Sequence, residues 1–564
     1  MPIGIFITAI LFSTINLTIT EPVDGEIYNG DWLSIRAIVE NENEPPDSVH
    51  YTLNGEPVIQ ISRLNTDWPT YMQNYQNHGY SESPAPTDNT ILWTAPVTGY
   101  AHEFPTPVVV NGMVYYTSDS LGSGTADSLY ALDAATGELV WKYDTGHADD
   151  AVTVMNGRVY SPSDSLFCFD AETGVRIWAN GIADHSGSTP IVVNDRVFCA
   201  SNTFGPTVSC LDASNGNVIW SQSLPSTMTS CMALWNGMLF VPTFHIDAAL
   251  YALDTDDGSI IWQNDDAYIG FWDSSPVVVD GMIYINGISG HTLAINAING
   301  NTEWDVDLSP GNADATSAYF DGRLFFAHNG PPGPYYCLDA TDGSTLWTAP
   351  YNQHGSSGIA DGLVFFGEYH PVADSASVIA LDCETGNLVW SYQTGGEWFA
   401  GSPSITDGVV YMPAHDGLLY AFGTGLKYTY LDELYARVGS NELIATSFDI
   451  GVAVATDTVN FTVTQTGITP GSSSRFTLRA DPNPFYSTAS ISFELSESAF
   501  ISIDVYDLSG RIVTTLENSV LPAGEHFMQW NGINQNGEPV SAGLYLCRIQ
   551  SGGISETTGL CLLR

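Results

Sequence analysis

The stretch at residues 131–141, ALDAATGELVW, returns six more times down the middle of the chain, as CFDAETGVRIW, CLDASNGNVIW, ALDTDDGSIIW, AINAINGNTEW, CLDATDGSTLW and ALDCETGNLVW. Its closing residues are Trp141, Trp178, Trp220, Trp262, Trp304, Trp347 and Trp390, and the fragment ILW supplies an eighth, Trp93. The intervals between them are 48, 37, 42, 42, 42, 43 and 43 residues. A unit of this length and β-prone content cannot bury its apolar faces alone, so the units must stack around a ring. The period is that of propeller blades.

Each unit also carries a two-residue turn between apolar runs: Asn111-Gly112, Asn156-Gly157, Asn194-Asp195, Asn236-Gly237, Asp280-Gly281, Asp321-Gly322, Asp361-Gly362 and Asp407-Gly408. Such pairs accept the positive φ values of a tight hairpin turn. Eight turns predict eight four-stranded blades. Within the repeat, Asp133 is expected to cap the next turn and Gly137 to take a left-handed conformation. The small residue at positions such as Ala131 and Cys168 is expected to make room for the tryptophan of a neighbour, giving the eight tryptophans a structural, blade-docking role. The last unit ends at LYAFGTG with no tryptophan strand, whereas residues 91–97 form such a strand with no preceding unit. The early strand should complete the last blade and so remove an open sheet edge.

The flanks divide the rest. Residues 1–14 are apolar but too short to span a membrane as a helix, and are read as an atypical secretion signal. Residues 15–62 alternate in short β-prone runs broken by Asp24-Gly25 and Asn54-Gly55, and resemble the first half of a bacterial immunoglobulin-like sandwich. Residues 429–465 read as the closing half, so that the propeller, residues 63–428, is expected to be inserted into a split sandwich. A linker at 466–475 leads to a last β domain at 476–564. There the phrases DPNPF, VYDLSGRIVTTL, LPAGEHFMQWNG and NGEPVSAGLYLCRI resemble the hook-capping-protein-like immunoglobulin fold that serves as a type IX secretion sorting domain. That resemblance implies an exported protein, secreted or held at the cell surface, that meets a secretion machinery through its C-terminus. The expected fold class is therefore all-β: an eight-bladed propeller plus immunoglobulin-like sandwiches.

Charge narrows the partners. With 63 acidic and 14 basic residues the formal net charge is -49, which repels phosphate backbones and anionic lipid. No nucleic acid partner and no transmembrane span are expected, and the chain is read as monomeric. The eight cysteines contain no CxxC and no adjacent pair, so zinc-knuckle and haem-attachment spacings are absent.

Residues 67–425 resemble the repeats of pyrroloquinoline quinone dehydrogenases, beginning with the segment DWPTYMQNYQNHGY at 67–80. Such enzymes place a quinone and Ca²⁺ at one end of the propeller, often under a disulfide between adjacent cysteines. This chain lacks adjacent cysteines, and its trimmed blades leave little insertion for a substrate pocket. No cofactor is therefore expected, pyrroloquinoline quinone with Ca²⁺ being the alternative, and no catalytic residue is assigned.

One face collects chemistry. The nine histidines from His102 to His415 fall in or beside the loops of one propeller face, and the opposite face is expected to carry none. His102, His147 and His185 sit nine residues before their hairpin turns; Phe271 and Trp398 hold the same register, followed by Trp272 and Phe399. Asp273 and, in neighbouring loops, Asp150 and His354 add polar groups. Aromatic planes with carboxylates and imidazoles on rigidly held loops suit a protein or glycan ligand, and leave a metal an open question. The functional expectation is an exported, non-catalytic binding module. The alternatives are a quinone- and Ca²⁺-dependent dehydrogenase using the same face, and an outer-membrane assembly scaffold.

Overall fold

The structure, a computed structural model, describes residues 65–464 except 97–105, 119–126, 147–149, 164, 183–187, 202–205, 229, 245–247, 267–270, 272–273, 288, 309–314, 328–333, 354, 369–375, 395–401, 415, 436–438 and 450–451. Outside that span it describes the strands Asn16–Glu21, Ile27–Asn29, Trp32–Asn41, Ser48–Leu53, Glu56–Pro57, Ser62–Arg63, Arg479–Asp481, Ala489–Leu495, Ala499–Tyr506, Ile512–Leu521, Gly524–Trp530, Gly543–Ser551 and Ile554–Leu562, with residues 531–534 and 540. The described residues contain strands and turns and no helix. Eight sheets follow one another, each with four antiparallel strands that are consecutive in the chain except in the eighth; in the seventh, Tyr80–Ser81 adds a fifth strand, parallel to Gly358–Ala360. The inner strands are short: Val108–Val110, Thr153–Met155, Ile191–Val193, Ala233–Trp235, Val277–Val279, Ala318–Phe320, Gly358–Ala360 and Ser404–Thr406. In the eighth blade the outer strand is Ile91–Pro96, which pairs antiparallel with Leu418–Phe422. One blade thus takes strands from both ends of the propeller, and the ring is closed by hydrogen bonds.

The turn chemistry sets the register. The non-glycine residues of the eight inner hairpin turns have φ between 47° and 59°, a region open to Asn and Asp at modest cost. In each blade the third strand meets the fourth across a bulge, as between Ala131 and Leu132. Aspartates then fold the connecting turn: Asp133 accepts from the amide and hydroxyl of Thr136 at 2.9 and 2.8 Å, and Asp170 does the same with Thr173.

The tryptophans join neighbouring blades. Trp93, Trp141, Trp178, Trp220, Trp262, Trp304 and Trp347 donate their indole N–H to a turn carbonyl of the next blade, at Ala134, Ala171, Ala213, Thr255, Ala297, Ala340 and Cys383. Their rings lie over the turn glycine of that blade, so that a Cβ at Gly258 would stand 2.5 Å from Trp220. The small residue plays a different part from the one expected: Ala131 is the cross-strand partner of Trp141 in its own blade, and the room for the incoming ring is made by glycine. A second donor often shares the carbonyl, Arg158 with Trp178 on Ala213 and Arg196 with Trp220 on Thr255.

Strands from both sides of the propeller share two further sheets. Trp32–Asn41 pairs antiparallel with Leu426–Tyr435, and Ser48–Leu53 with Gly439–Asp449. The chain divides into two compact units, Met1–Thr464 and Gln465–Arg564. The second is built from sheets of three and four strands around Ile491, Ile503, Val505, Trp530 and Cys547.

Candidate binding site at the loop end of the channel

The strap that leads into the propeller, residues 66–83, runs around the inside of the ring and touches the blades in order. Backbone amides of the inner strands donate to it: Val109 to Trp68, Val154 to Pro69, Leu234 to Tyr75, Val278 to Gln76, Tyr319 to His78 and Ile359 to Gly79. The third blade is reached by the Tyr75 hydroxyl, which donates to the carbonyl of Val192 at 2.5 Å. The eighth is held from both ends of the strap, by Thr66 donating to Asp407 and by Gly408 donating to the Ser83 hydroxyl. An inner strand otherwise leaves its channel-side amides without partners, and a buried backbone donor must find one. The strap meets that need in nearly every blade.

His78 belongs to this strap and not to the loop face. Its Nε2 lies 2.7 Å from the carbonyl of Val278, and burial, partly offset by that bond and by Asp280, lowers its pKa. The expectation that the turn end carries no histidine is corrected by this residue, which enters from the strap and not from a blade.

Toward the other end, two residues before each inner strand, stand Thr106, Ala151, Thr189, Cys231, Ser275, Thr316, Ser356 and Ser402. All are buried. They are linked from blade to blade: the amide of Cys231 donates to the Ser275 hydroxyl, that of Ser275 to Thr316, and that of Ser356 to Ser402. The Cys231 thiol meets Thr189 at 3.4 Å. From the strap, the Tyr71 hydroxyl reaches this belt and bonds Thr316 at 2.9 Å and Ser356 at 2.7 Å. Among the described residues, two buried hydroxyls on the same side, that of Thr106 in the belt and that of Ser230 next to Cys231, have no hydrogen-bond partner, nor has the indole N–H of Trp68. Unmatched buried donors cost on the order of 1–3 kcal/mol each, so such groups mark a place where water or a ligand completes the bonding.

The belt is neutral in character. Burial raises the Tyr71 phenol, and burial followed by the charge of Asp150 pushes the Cys231 thiol up to about 12. Both stay protonated at pH 7. Asp150 is itself buried, 4% exposed, in the loop end of the second blade. The belt was legible as a recurring Ser, Thr or Cys ahead of phrases such as PVVV and PIVV. Its placement four residues after the register of His102, His147, His185, Phe271 and Trp398 ties it to the candidate loops.

Of the candidate face residues, Phe271 is described, and it is fully buried against Phe240, Ile283 and Leu293. It supports the loop end from within and does not offer its ring to a ligand; its amide donates to the carbonyl of Thr243. His102, His147, His185, Trp272, Asp273, His354, Trp398 and Phe399 lie outside the described residues.

Known proteins give the setting. A model of the family described as "Outer membrane protein assembly factor BamB" matches residues 84–161, 162–329 and 333–427, more than half of the chain, and that of the FlgD Ig-like domain matches residues 482–553. A quinohemoprotein alcohol dehydrogenase of Pseudomonas putida is 29% identical over 170 residues, 26% of this chain and 23% of the relative. The outer membrane protein assembly factor BamB of Salmonella typhimurium is 25% identical over 151 residues, 26% of this chain and 36% of the relative. The matches thus span well under half the length of these relatives. Among solved structures, the quinohemoprotein alcohol dehydrogenase of Comamonas testosteroni superposes with a TM-score of 0.52 at 16% identity, covering 67% of this chain and 82% of that one, a likeness of fold.

These relatives correct the expectation that no cofactor is involved, since quinone-type dehydrogenases stand among the proteins this propeller is similar to. The belt supplies hydroxyls and one thiol, and the buried carboxylate of Asp150 lies beside it. Among the described residues no group of three His, Cys, Asp or Glu side chains comes together in a way that holds a metal ion. The described donor set does not fit a bound Ca²⁺, and no chemical step is derived through one.

Proposed function

This chain belongs to the family described as "Outer membrane protein assembly factor BamB", and from that premise we propose that it is an exported binding propeller whose ligand, a protein or a glycan, is taken at the loop end of the channel. The observation that carries this reading is the ring of buried hydroxyls at that end, joined from blade to blade. Beneath that end lie the hydroxyl belt, Tyr71, and the unmatched hydroxyls of Thr106 and Ser230. Rigid inner strands hold the loops above, the arrangement in which loops carry recognition. The propeller is an insertion in a sandwich built from residues 15–62 and 429–465, and the C-terminal unit, similar to the FlgD Ig-like domain, directs display or release at the cell surface.

A second reading follows from the dehydrogenase relatives: the same end of the channel receives a quinone, with the belt hydroxyls as its hydrogen-bonding floor. Thermal unfolding of the full chain separates the two. Melting is followed alone, with oligosaccharides, and with pyrroloquinoline quinone and Ca²⁺. A site saturated at a hundred times its Kd adds about 2.7 kcal/mol to the domain that holds it. A shift with oligosaccharide that is lost in the Trp272→Ala, Trp398→Ala variant supports the binding propeller. A shift with quinone and Ca²⁺ alone moves the assignment to the second reading.

A further inference from the structure

Thirteen large apolar side chains are exposed among the described residues, and all but Phe527 lie in the propeller, on its outer strands or in the turns that lead into them. Eight of them form four adjacent pairs just before a tryptophan, Leu388 with Val389 and three more: Leu139 and Val140, Val218 and Ile219, Ile260 and Ile261 are each between 44% and 57% exposed. The bulge between third and fourth strands explains why both members of a pair face solvent, since the alternation is broken there.

These outer strands are also edges. Among the described residues, Val218–Ser223 pairs only with Thr207–Asp212, and Ile260–Asn264 only with Leu250–Asp254. Natural proteins blunt such edges with lysine, proline or short length. From the third to the seventh blade the outer strands VIWSQS, IIWQN, TEWDVD, TLWTA and LVWSYQ contain no Lys, Arg or Pro.

What stands beside the edges is mostly acid, with Arg196 already paired to Asp256 at 2.9 Å. The turns that open these strands carry Asp212, Asp254, Asp256, Asp257, Asp339 and Asp342. Hydroxyl and amide bonds from the turn residues hold Asp212, Asp257 and Asp342 below the usual carboxylate range, so they stay ionised in mildly acidic solution. A second copy of this chain, at -49, and an anionic membrane are both repelled from such a rim.

We infer that the outer strands of the third and fourth blades, Val218–Ser223 and Ile260–Asn264, form a docking edge for an extended, basic polypeptide segment that alternates aliphatic residues with Lys or Arg. The added strand takes the open backbone groups, its aliphatic residues cover the exposed pairs, and its cations meet the turn carboxylates. This edge is separate from the loop end of the channel and stands whether or not that end binds a ligand.

The test titrates full-length protein against labelled peptides: alternating (Val-Lys)4, alternating (Val-Glu)4, a block peptide of the same composition as the first, and (Val-Lys)4 with two central prolines. The alternating basic peptide is expected to bind about tenfold or more tightly than the other three, and to weaken steeply as salt rises to about 0.5 M. The variant Val218→Ser, Ile219→Ser, Ile260→Ser, Ile261→Ser should lose that preference while unfolding at the same temperature, because the four side chains are exposed. Equal binding of the block or proline peptide, or unchanged binding by the variant, overturns the inference. If the variant does not fold, hydrogen exchange of the wild type decides: the amides of 218–223 and 260–264 must gain protection with the peptide. Gain of protection on raising protein concentration without peptide assigns the edge to self-association and overturns the inference as well.

Discussion

The indole N–H of Trp390 donates to the carbonyl oxygen of Pro86 at 2.9 Å, across 304 residues of chain. Seven other tryptophans reach a turn of the following blade; this one reaches the segment just ahead of Ile91–Pro96, the strand that completes the last blade. Ring closure therefore rests on a buried indole as well as on a sheet. Trp390→Phe keeps most of the packing and removes the bond, and is expected to lower unfolding free energy by about 1 kcal/mol, whereas Trp390→Ala costs about 3–5 kcal/mol. Urea unfolding of the two variants checks this; a Phe variant as weak as the Ala variant would mean that ring shape, not the hydrogen bond, closes the propeller.

Gly258 and Gly157 separate two reasons for glycine. Both have positive φ, 76° and 70°, but a Cβ at Gly258 would stand 2.5 Å from Trp220 and one at Gly157 meets nothing within 4 Å. Gly157→Ala bears only the conformational cost, about 1–2 kcal/mol. Gly258→Ala must also displace an indole wedged between blades, adding roughly 1–3 kcal/mol as overpacking does. Denaturant midpoints of the two variants should differ accordingly, and equal midpoints would show that the tryptophan yields freely.

His78 makes stability depend on pH. Its pKa in the folded chain is lowered, chiefly by burial, so the unfolded chain binds the proton more tightly. The stabilisation is whole above the unfolded value of about 6.5 and is lost as pH falls from there through the lowered folded value. His78→Gln should flatten the fall in melting temperature between about pH 7 and pH 5, to the extent that this one imidazole sets it. An unaltered slope in the variant would place the pH sensitivity elsewhere.

Seven free cysteines, from Cys168 to Cys547, are buried. Burial pushes Cys168 and Cys210 up to about 11 and Cys199, Cys231, Cys337 and Cys547 up to about 12. Thiolate is the reactive form, and these groups hold little of it at pH 8. Iodoacetamide should leave their peptides unmodified in the native protein and modify them after unfolding. Rapid native labelling of Cys231 would mean that the channel belt opens to solvent.

Repetition is what the sequence by itself determined. Seven tryptophan phrases, the fragment ILW and eight positive-φ turn pairs specify strand number, blade number and all-β class, because the strands of all blades but the last are local in the chain and their signals recur until chance is excluded. The hydroxyl belt was written there too, as one Ser, Thr or Cys ahead of most inner strands, though nothing in a single unit says that these side chains meet around an axis.

Tertiary structure decided the rest through contacts between distant residues. That Trp220 rests on Gly258, that Ala131 faces Trp141 of its own blade, and that Phe271 is core follow from how blades pack, which no local pattern encodes. The strap is the clearest case. DWPTYMQNYQNHGY has no periodicity of its own, since its carbonyls are spaced to match six of the inner strands arranged in a circle. Backbone groups, which every residue carries alike, make those bonds, so the side-chain sequence left no mark of them to read.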